Sequence, residues 1–269
     1  MLLAIDIGNT NVVLACAEVS RNLFENRPPI WRLETDADKN SADYAAAIRD
    51  LLGANRCAAV TGAIVASVVP ALSTVICDAV ASATGHVPLL IGDDGVDLGI
   101  DINIDEPEQA GADRLVNAVG ALAHHQLPAI ILDFGTATTL DLVGADGAYE
   151  GGIIAPGVAL SIDALEAAAA QLPRLALREF GADLPILGKN TVLAMESGIF
   201  WGYVSMIEGL LARLRADYGD VSMIATGGLA GLFSAHLPGI NVVDPDLTVK
   251  GLFEIYARNS SAAARAQDG

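Results

Sequence analysis

Residues 3–12 have the sequence LAIDIGNTNV, and residues 130–139 have the sequence IILDFGTATT. In both stretches a short apolar strand is followed by Asp-x-Gly, by small hydroxyl or amide residues, and by a second apolar strand. Asp6 matches Asp133 at an offset of 127 residues. Two copies of this strand–turn–strand pattern in a chain of 269 residues predict a duplicated domain, with its boundary near Pro128.

Apolar runs of two lengths alternate along the chain. Short runs predict strands, and longer periodic runs predict helices, among them a helix over residues 160–172 and a long one over Thr191–Tyr218. This alternation predicts α/β layers with a largely parallel sheet. We expect one domain over residues 1–126 and a second over 127–258, and the tail at 259–269, which has little to bury, is expected to fray.

The charge of the chain excludes two classes of partner. There are 15 lysines and arginines against 33 aspartates and glutamates, which gives a formal net charge of −18. Nonspecific nucleic-acid binding and docking on anionic lipid both need a basic surface, so we expect neither nucleic acid nor a membrane as a partner. The three cysteines, Cys16, Cys57 and Cys77, are far apart without a CxxC pair, which favours buried thiols over disulfides or a zinc site.

No segment of the sequence predicts export or membrane insertion. The N-terminus reaches Asp6 after the four apolar residues that follow Met1, too few for the apolar part of a signal peptide. The 21 residues from Cys57 to Cys77 contain no charge, but a buried strand followed by a helix that begins at Pro70 explains them better than a membrane span. We therefore expect a soluble protein of the cytoplasm.

The two Asp-x-Gly loops have the chemistry of phosphate-binding turns. Glycine at the bend lets an anion approach backbone N–H groups, and the hydroxyl and amide side chains that follow add neutral donors. The aspartates would repel a phosphate, so their chemistry favours holding a cation, which at Asp6 is Mg²⁺ bound through water. A tight hairpin stabilised by its own Asp and Asn side chains explains either loop alone. A facing pair, one in each half, favours a nucleotide clamp.

A third glycine turn, Thr226-Gly227-Gly228, directly follows a predicted strand. Such a pair of glycines lets a nucleoside lie against the backbone, and it equally allows a tight connection that packing requires. The sequence leaves both interpretations open at this turn.

The three glycine turns belong to a longer series of short motifs along the chain. They are DIGNTN at 6–11, SVVP at 67–70, GADR at 111–114, DFGTATT at 133–139, GGIIAPG at 151–157, GKNT at 188–191, SGIFWGY at 197–203, TGG at 226–228 and DPDLTVKGL at 244–252. Together they resemble the type III pantothenate kinase family of the acetate kinase, sugar kinase and actin superfamily. The resemblance covers the chain to about Arg258.

This resemblance implies a fold of two duplicated ribonuclease-H-like domains with an ATP cleft between them. The implied enzyme is a homodimeric kinase that phosphorylates pantothenate with ATP to give 4′-phosphopantothenate, the first step of coenzyme A biosynthesis. Its ATP contacts lie at Thr136 and along the first Asp-x-Gly loop. That loop consists of Asp6, Ile7, Gly8, Asn9, Thr10, Asn11, Val12 and Val13.

Gly111, Ala112, Asp113 and Arg114 place a carboxylate and a guanidinium side by side at the start of a predicted helix, where backbone donors favour anions. The resemblance implies that Asp113 is the catalytic residue that accepts the proton of the pantothenate hydroxyl. It also implies that these four residues and Thr191 bind the substrate. Arg114 suits a carboxylate or amide oxygen. Without the other motifs, a capping aspartate and a paired arginine would explain the pattern.

The resemblance also implies a monovalent cation, K⁺ or NH₄⁺, at Asp133. Three aspartates of one site in a chain with a net charge of −18 would repel one another and the triphosphate, so a compensating cation is expected. The residues themselves leave K⁺ and a second Mg²⁺ as alternatives.

The long predicted helix begins at GKNT, where either Asn190 or Thr191 suits the N-cap. The resemblance implies that Thr191 contacts pantothenate bound to the other subunit of the dimer. Further along this helix, Phe200 and Trp201 are predicted to lie on the dimer face. The glycines of GGIIAPG are predicted to form a turn before the helix at 160–172.

One position departs from the family pattern, because some relatives have a tyrosine that closes over pantothenate where this chain has Ile104. Isoleucine offers apolar contact without a phenol hydrogen bond. Two other functions are consistent with the scaffold. One is a kinase or phosphatase of the superfamily with a different acceptor, which GADR and GKNT disfavour. The other is a noncatalytic accessory protein similar to the Bvg accessory factor, which the three aspartates disfavour.

Overall fold

The computed structural model describes residues 1–18, 27–168, 173, 175 and 184–267, with side chains as far as residue 260. The chain forms two compact units. Unit 1 consists of Met1–His125 and Asp246–Gly269, and unit 2 consists of Gln126–Pro245.

The described residues form ten strands and seven α-helices. The strands are β1 (Leu2–Ile7), β2 (Asn11–Ala17), β3 (Ile30–Glu34), β4 (Gly62–Ser67), β5 (Leu89–Leu90), β6 (Ala129–Phe134), β7 (Ala137–Val143), β8 (Tyr149–Pro156), β9 (Ser222–Gly227) and β10 (Val242–Val243). The helices are α1 (Ser41–Ala59), α2 (Pro70–Thr84), α3 (Ala112–His124), α4 (Val158–Ala168), α5 (Thr191–Tyr218), α6 (Ala230–Ser234) and α7 (Leu247–Gln267).

Each unit is built on one five-stranded sheet. The strand order is β3-β2-β1-β4-β5 in unit 1 and β8-β7-β6-β9-β10 in unit 2. In both sheets the first three strands pair antiparallel and the last two are added in parallel. The shared order and directions confirm the predicted duplication. The prediction of largely parallel sheets is wrong, because the loops of two or three residues after β6 and β1 are too short for a parallel crossover.

Helices cover both faces of the unit 1 sheet. On one face Leu3 and Ile5 pack in a cluster with Ile48 of α1 and Ile76 of α2. On the other face the side chains of alternate residues, such as Ala4, pack in a cluster with α3 and α7. Because side chains alternate along a strand, Asp6 belongs to the face that carries Ala4.

The last helix, α7, belongs to unit 1, whereas the order of motifs in the sequence predicted residues 127–258 to form the second domain. The reason is packing between backbones, since Gly251 of α7 lies directly against the Val116 carbonyl of α3. Thr248 also donates to the buried Asn117 side chain at 2.7 Å. The residues that make these contacts are far apart in the sequence, so no local sequence pattern predicts that α7 packs in unit 1. The tail expected to fray from residue 259 is helical to Gln267, and the last two residues lie outside the described chain.

Unit 2 has an aromatic core on one face of its sheet. Phe200 of α5 is fully buried and stacks on Phe233, with ring centroids 5.3 Å apart. The Trp201 side chain packs edge-on against Phe200 and donates from its indole N–H to the Leu184 carbonyl. The prediction that Phe200 lies on a dimer face is therefore wrong, because its side chain is fully buried within unit 2, whereas for the partly buried Trp201 it stays a prediction.

The GGIIAPG segment forms most of β8 rather than a turn. β8 is an edge strand that pairs with β7 on one side only. Its glycines also interrupt the apolar alternation by which strands are recognised in a sequence. The helix that follows is described as α4 to Ala168, and the predicted residues 169–172 lie outside the described chain.

The uncharged stretch from Cys57 to Cys77 contains β4 and the start of α2, with Pro70 in the first turn of that helix, as predicted. No helix within the described ranges is long and apolar enough to cross a membrane. All three cysteines are free thiols, and Cys16 and Cys57 are buried as expected. Burial raises the pKa of the Cys16 thiol, and burial together with Asp93 raises the pKa of Cys77 to about 11.

Candidate functional site

The first Asp-x-Gly loop joins β1 to β2 through Gly8, Asn9 and Thr10. The Gly8 N–H donates to the Asn11 carbonyl at 3.0 Å and closes the hairpin. The three residues after Gly8 are exposed, whereas Ile7 before it is buried. The loop therefore presents amide and hydroxyl side chains to solvent from a rigid base of two paired strands, an arrangement suited to phosphate.

Asp6 is half-buried near the end of β1. The strand is paired on both sides, so that Asp6 lies between Val13 of β2 and Ala66 of β4. Two ladders of hydrogen bonds fix the backbone of Asp6, and the sheet therefore determines where its carboxylate projects. It shares a sheet face with the helices α3 and α7, so Asp6 and the GADR helix lie on the same side of unit 1.

The second Asp-x-Gly loop joins β6 to β7 and is one residue shorter. It consists of Gly135 and Thr136, and the Gly135 N–H donates to the Ala137 carbonyl at 3.1 Å. Asp133 is half-buried opposite Thr139, whereas Thr136 is exposed. The aspartate thus occupies the same place in the β6–β7 hairpin as Asp6 in the β1–β2 hairpin.

The turn after β9 lies directly beside Asp133. β9 pairs in parallel with β6, with Thr226 opposite Asp133 and Gly227 opposite Phe134. Gly227 has a φ of +88°, and a Cβ there would overlap the Asp133 carboxylate and the Phe134 carbonyl oxygen. Glycine is therefore required at position 227, and two oxygens line the space that its missing side chain leaves.

Gly157, the residue after β8, supports the second loop by direct backbone contact. It is buried, and a Cβ on it would overlap the carbonyl of Thr136 and approach that of Gly135. The sequence predicted Gly157 only as part of a turn, because its contact with the loop depends on the pairing of β7 with β8.

We expect Gly157→Ala to displace the second loop. The added methyl group meets backbone rather than a movable side chain, so the variant should lose about 1–3 kcal/mol of stability and bind ATP more weakly. Steady-state kinetics should show a raised KM for ATP. Gly231→Ala is the matched control, since Gly231 of α6 has open space at its Cα. An unchanged KM for ATP in Gly157→Ala would contradict this role.

The GADR residues form the N-terminus of α3. Gly111 is the N-cap residue, and Ala112, Asp113 and Arg114 form the first turn. The Asp113 carboxylate accepts a hydrogen bond from the Arg114 backbone N–H at 2.8 Å, and both side chains are half-buried. The backbone therefore holds the Asp113 carboxylate at the N-terminus of α3, where the helix dipole favours anionic groups, and the Arg114 side chain leaves the helix at the next residue.

Thr191 is the first residue of α5 and is exposed. Of the two candidates for the N-cap, the structure selects Asn190, whose side chain accepts from the Leu193 N–H at 2.9 Å. Thr191 is thus not required for capping. It lies on a separate element of unit 2 from the Asp133 loop.

The residues at both loops fit hard cations. Carboxylate, carbonyl and hydroxyl oxygens are the ligands of Mg²⁺ and K⁺, and the Asp133 and Phe134 oxygens beside Gly227 supply two of them. In the part of the chain that the structure describes, no group of three or more His, Cys, Asp or Glu side chains is arranged to hold a metal. A cation here would complete its coordination with water and substrate oxygens.

Sequence comparison decides the family. The model of type III pantothenate kinases matches residues 2–213. A type III pantothenate kinase of Paramagnetospirillum magneticum is 48% identical over 265 residues, which cover 97% of this chain and 98% of that protein. The chain belongs to the type III pantothenate kinase family. A family member of Caulobacter vibrioides is 44% identical over 97% of this chain and 99% of its own length.

Solved structures support the fold alone. A Baf family transcriptional activator of Campylobacter jejuni has a TM-score of 0.60 at 17% identity, covering 96% of this chain and 99% of that chain. A dehydratase activator of Clostridium difficile, solved with bound ADPNP, has a TM-score of 0.59 at 11% identity, covering 99% and 97%. An Arthrobacter glucomannokinase has a TM-score of 0.51 at 14% identity, covering 96% and 98%. These neighbours confirm the fold class of two duplicated ribonuclease-H-like domains.

Proposed function

We propose that the Asp-x-Gly loops, the α3 N-terminus and Thr191 perform the reaction of this family, ATP-dependent phosphorylation of pantothenate. The product is 4′-phosphopantothenate, and the reaction is the first step of coenzyme A biosynthesis. The observation that carries the proposal is the GADR turn, in which the Arg114 backbone N–H holds the Asp113 carboxylate at a helix N-terminus, in a chain that matches the family from residue 2 to 213.

Asp113 is the general base in this proposal. The pantothenate hydroxyl gives its proton to the Asp113 carboxylate as its oxygen attacks the γ-phosphorus of ATP, and the bond from that phosphorus to the ADP oxygen breaks. The hydrogen bond from the Arg114 N–H holds the carboxylate in one orientation. Arg114 binds the pantothenate carboxylate through its charged guanidinium, and Gly111 and Ala112 line the substrate with backbone.

The two loops bind ATP in this proposal. The first loop, residues 6–13, contacts phosphate oxygens through the exposed donors of Asn9, Thr10 and Asn11. The second loop contributes the exposed Thr136 hydroxyl. Ile7, Val12 and Val13 supply backbone and apolar contact beside the bend. Neutral donors suit this task because they add no charge that must be desolvated.

Asp6 and Asp133 would hold the cations. Asp6 would hold Mg²⁺ through water, and Asp133 with the Phe134 carbonyl would hold a monovalent cation, K⁺ or NH₄⁺. When bound, these cations would supply positive charge that offsets the charge of the phosphates. The protein contributes fixed oxygen ligands, because both aspartates lie on strands that are paired on both sides.

The active unit in this proposal is a homodimer in which Thr191 contacts pantothenate bound to the partner subunit. Apolar side chains next to Thr191 support an interface there, since Ile186 is 74% exposed, Leu187 78% and Val192 41%. Contiguous exposed apolar surface marks sites of protein–protein contact. The free thiols suit a reducing compartment, so we place the enzyme in the cytoplasm.

We expect two inactive variants to restore each other when mixed. Asp113→Asn and Thr191→Arg each damage both sites of a homodimer, but a mixed dimer has one intact site. Random exchange should therefore recover about a quarter of the wild-type activity. Light scattering should give twice the 27.7 kDa chain mass for each variant. No recovery from a verified mixed dimer would contradict a contribution of Thr191 in trans.

An acceptor screen tests the proposed substrate. The chain is incubated with Mg²⁺, ATP and single acceptors, including pantothenate, hexoses, acetate and glycerol, and products are identified by mass. We expect transfer to pantothenate and none to the others. Transfer to another acceptor would support a different kinase of the superfamily, and no transfer to any acceptor would support the noncatalytic accessory protein.

A further inference from the structure

Thr35, the residue directly after β3, makes two hydrogen bonds to the first Asp-x-Gly loop. Its Oγ1 donates to the Gly8 carbonyl oxygen at 2.7 Å, and its backbone N–H donates to the Thr10 carbonyl oxygen at 3.0 Å. Thr35 is half-buried, so these bonds are partly shielded from water. One residue thus holds both ends of the three-residue loop.

The two hydrogen bonds determine which groups of the loop meet a ligand. A carbonyl oxygen repels phosphate, and the Gly8 and Thr10 carbonyls are turned toward Thr35. Because a trans peptide is planar, the N–H of Asn9 points away from the side that the Gly8 carbonyl faces. Thr35 therefore keeps carbonyl oxygens away from an approaching anion and leaves an N–H group directed to the opposite side.

Thr35 is itself held in place by the start of α1. The hydroxyl group of Tyr44, which is 1% exposed, donates to the Asp36 carbonyl and accepts from the Asp36 N–H, each at 3.0 Å. Asn40 and Asp43 form a capping box that fixes the first turn of this helix. The backbone beside Thr35 is thus fixed to a buried side chain rather than left as a free loop.

In unit 2 the residue after the third strand of the sheet also contacts its Asp-x-Gly loop, but through its backbone and without a side chain. Glu34 pairs with Asn11 at the end of β3, and Pro156 pairs with Ala137 at the end of β8. The next residues, Thr35 and Gly157, are therefore equivalent in the two repeats. Thr35 reaches its longer loop with hydrogen bonds, whereas Gly157 contacts its shorter loop with bare backbone.

We propose that Thr35 is a positioning residue for phosphoryl transfer, which holds the Gly8–Thr10 loop in the conformation that binds the phosphates of ATP. The inference rests on the proposed role of that loop in ATP binding. Thr35 acts through the loop backbone and is not itself a ligand of ATP.

The test compares Thr35→Val, which keeps the shape but removes the hydroxyl, with Thr35→Ser, which keeps the hydroxyl. The control is Thr61→Val, because Thr61 also donates its hydroxyl and its N–H to a backbone carbonyl, that of Met1, at the opposite end of β1. Each variant is assayed for the Kd of Mg·ATP by calorimetry without acceptor, and for the KM values of ATP and pantothenate.

We expect Thr35→Val to weaken Mg·ATP binding and raise the KM for ATP by about tenfold, the effect of losing one hydrogen bond. The KM for pantothenate should stay within about twofold, and Thr35→Ser and Thr61→Val should bind ATP like the wild type. Unchanged ATP affinity in Thr35→Val, or equal losses in Thr61→Val, would overturn the proposal. Wild-type binding of Mg·ATP without turnover of pantothenate would refute the proposed substrate and leave the Kd comparison valid.

Discussion

Replacing Asp113 with asparagine is expected to lower kcat by about 10²–10⁴-fold, the usual contribution of a general base. Asparagine has nearly the shape of aspartate and retains an oxygen that accepts from the Arg114 N–H, so the α3 N-terminus should keep its conformation. It cannot take the hydroxyl proton. The loss should therefore fall on kcat, while the KM for ATP changes little, as measured by coupled ADP release.

The control for Asp113→Asn is Asp43→Asn. Both aspartates lie in the first turn of a unit 1 helix, and both accept a backbone N–H. Removing either charge should cost a similar amount of stability, about 0.3–1 kcal/mol. Asp43→Asn keeps an oxygen that accepts the Asn40 N–H in the capping box of α1, so the backbone beside Thr35 should stay in place and only Asp113→Asn should lose turnover. An Asp113→Asn enzyme with near-normal kcat would remove Asp113 from the role of base.

Replacing Asp6 with asparagine is expected to lower kcat/KM for Mg·ATP by about 10²–10³-fold, comparable to the loss of one preorganised electrostatic contact at a transition state. The charge of Asp6 is the property that suits a divalent cation, and its position on a doubly paired strand fixes it in place. Activity titrated against Mg²⁺ should require a higher concentration for half-saturation in the variant.

Asp146→Asn is a suitable control for this second substitution. Asp146 accepts the Ala148 N–H in the β7–β8 turn, so the variant also neutralises a hairpin aspartate, but outside both Asp-x-Gly loops. It should leave the Mg²⁺ titration unchanged. If Asp6→Asn shows the wild-type Mg²⁺ dependence, Asp6 does not help to hold the metal.

The duplicated hairpins were predictable from sequence because their determinants are local. Apolar strands, a bend glycine and an aspartate lie within ten residues of one another in both repeats. The edge strand β8 was missed because its glycines and its one-sided pairing weaken the alternating pattern. The position of α7 was missed because Gly251 and Val116 meet only in the folded chain.

The residues of the candidate site also fall into those that a local sequence motif predicts and those that only the folded chain brings together. The aspartates and the GADR turn are contiguous motifs, so their residues could be named before the structure was known. Thr35 and Gly157 could not, because each reaches its loop through the register of a third strand. A sequence signal does exist, since both residues occupy the same place in the two repeats, but it can be recognised only once β3 and β8 are assigned.

The most direct test of the account is ADP release by the wild-type chain with pantothenate and Mg·ATP, in buffers with either K⁺ or Na⁺ as the monovalent cation. We predict ADP release that requires pantothenate and that is much faster in K⁺ than in Na⁺. Equal rates in the two salts would contradict the K⁺ site at Asp133 and leave the kinase intact. No pantothenate-dependent ADP release in either salt would contradict the central claim.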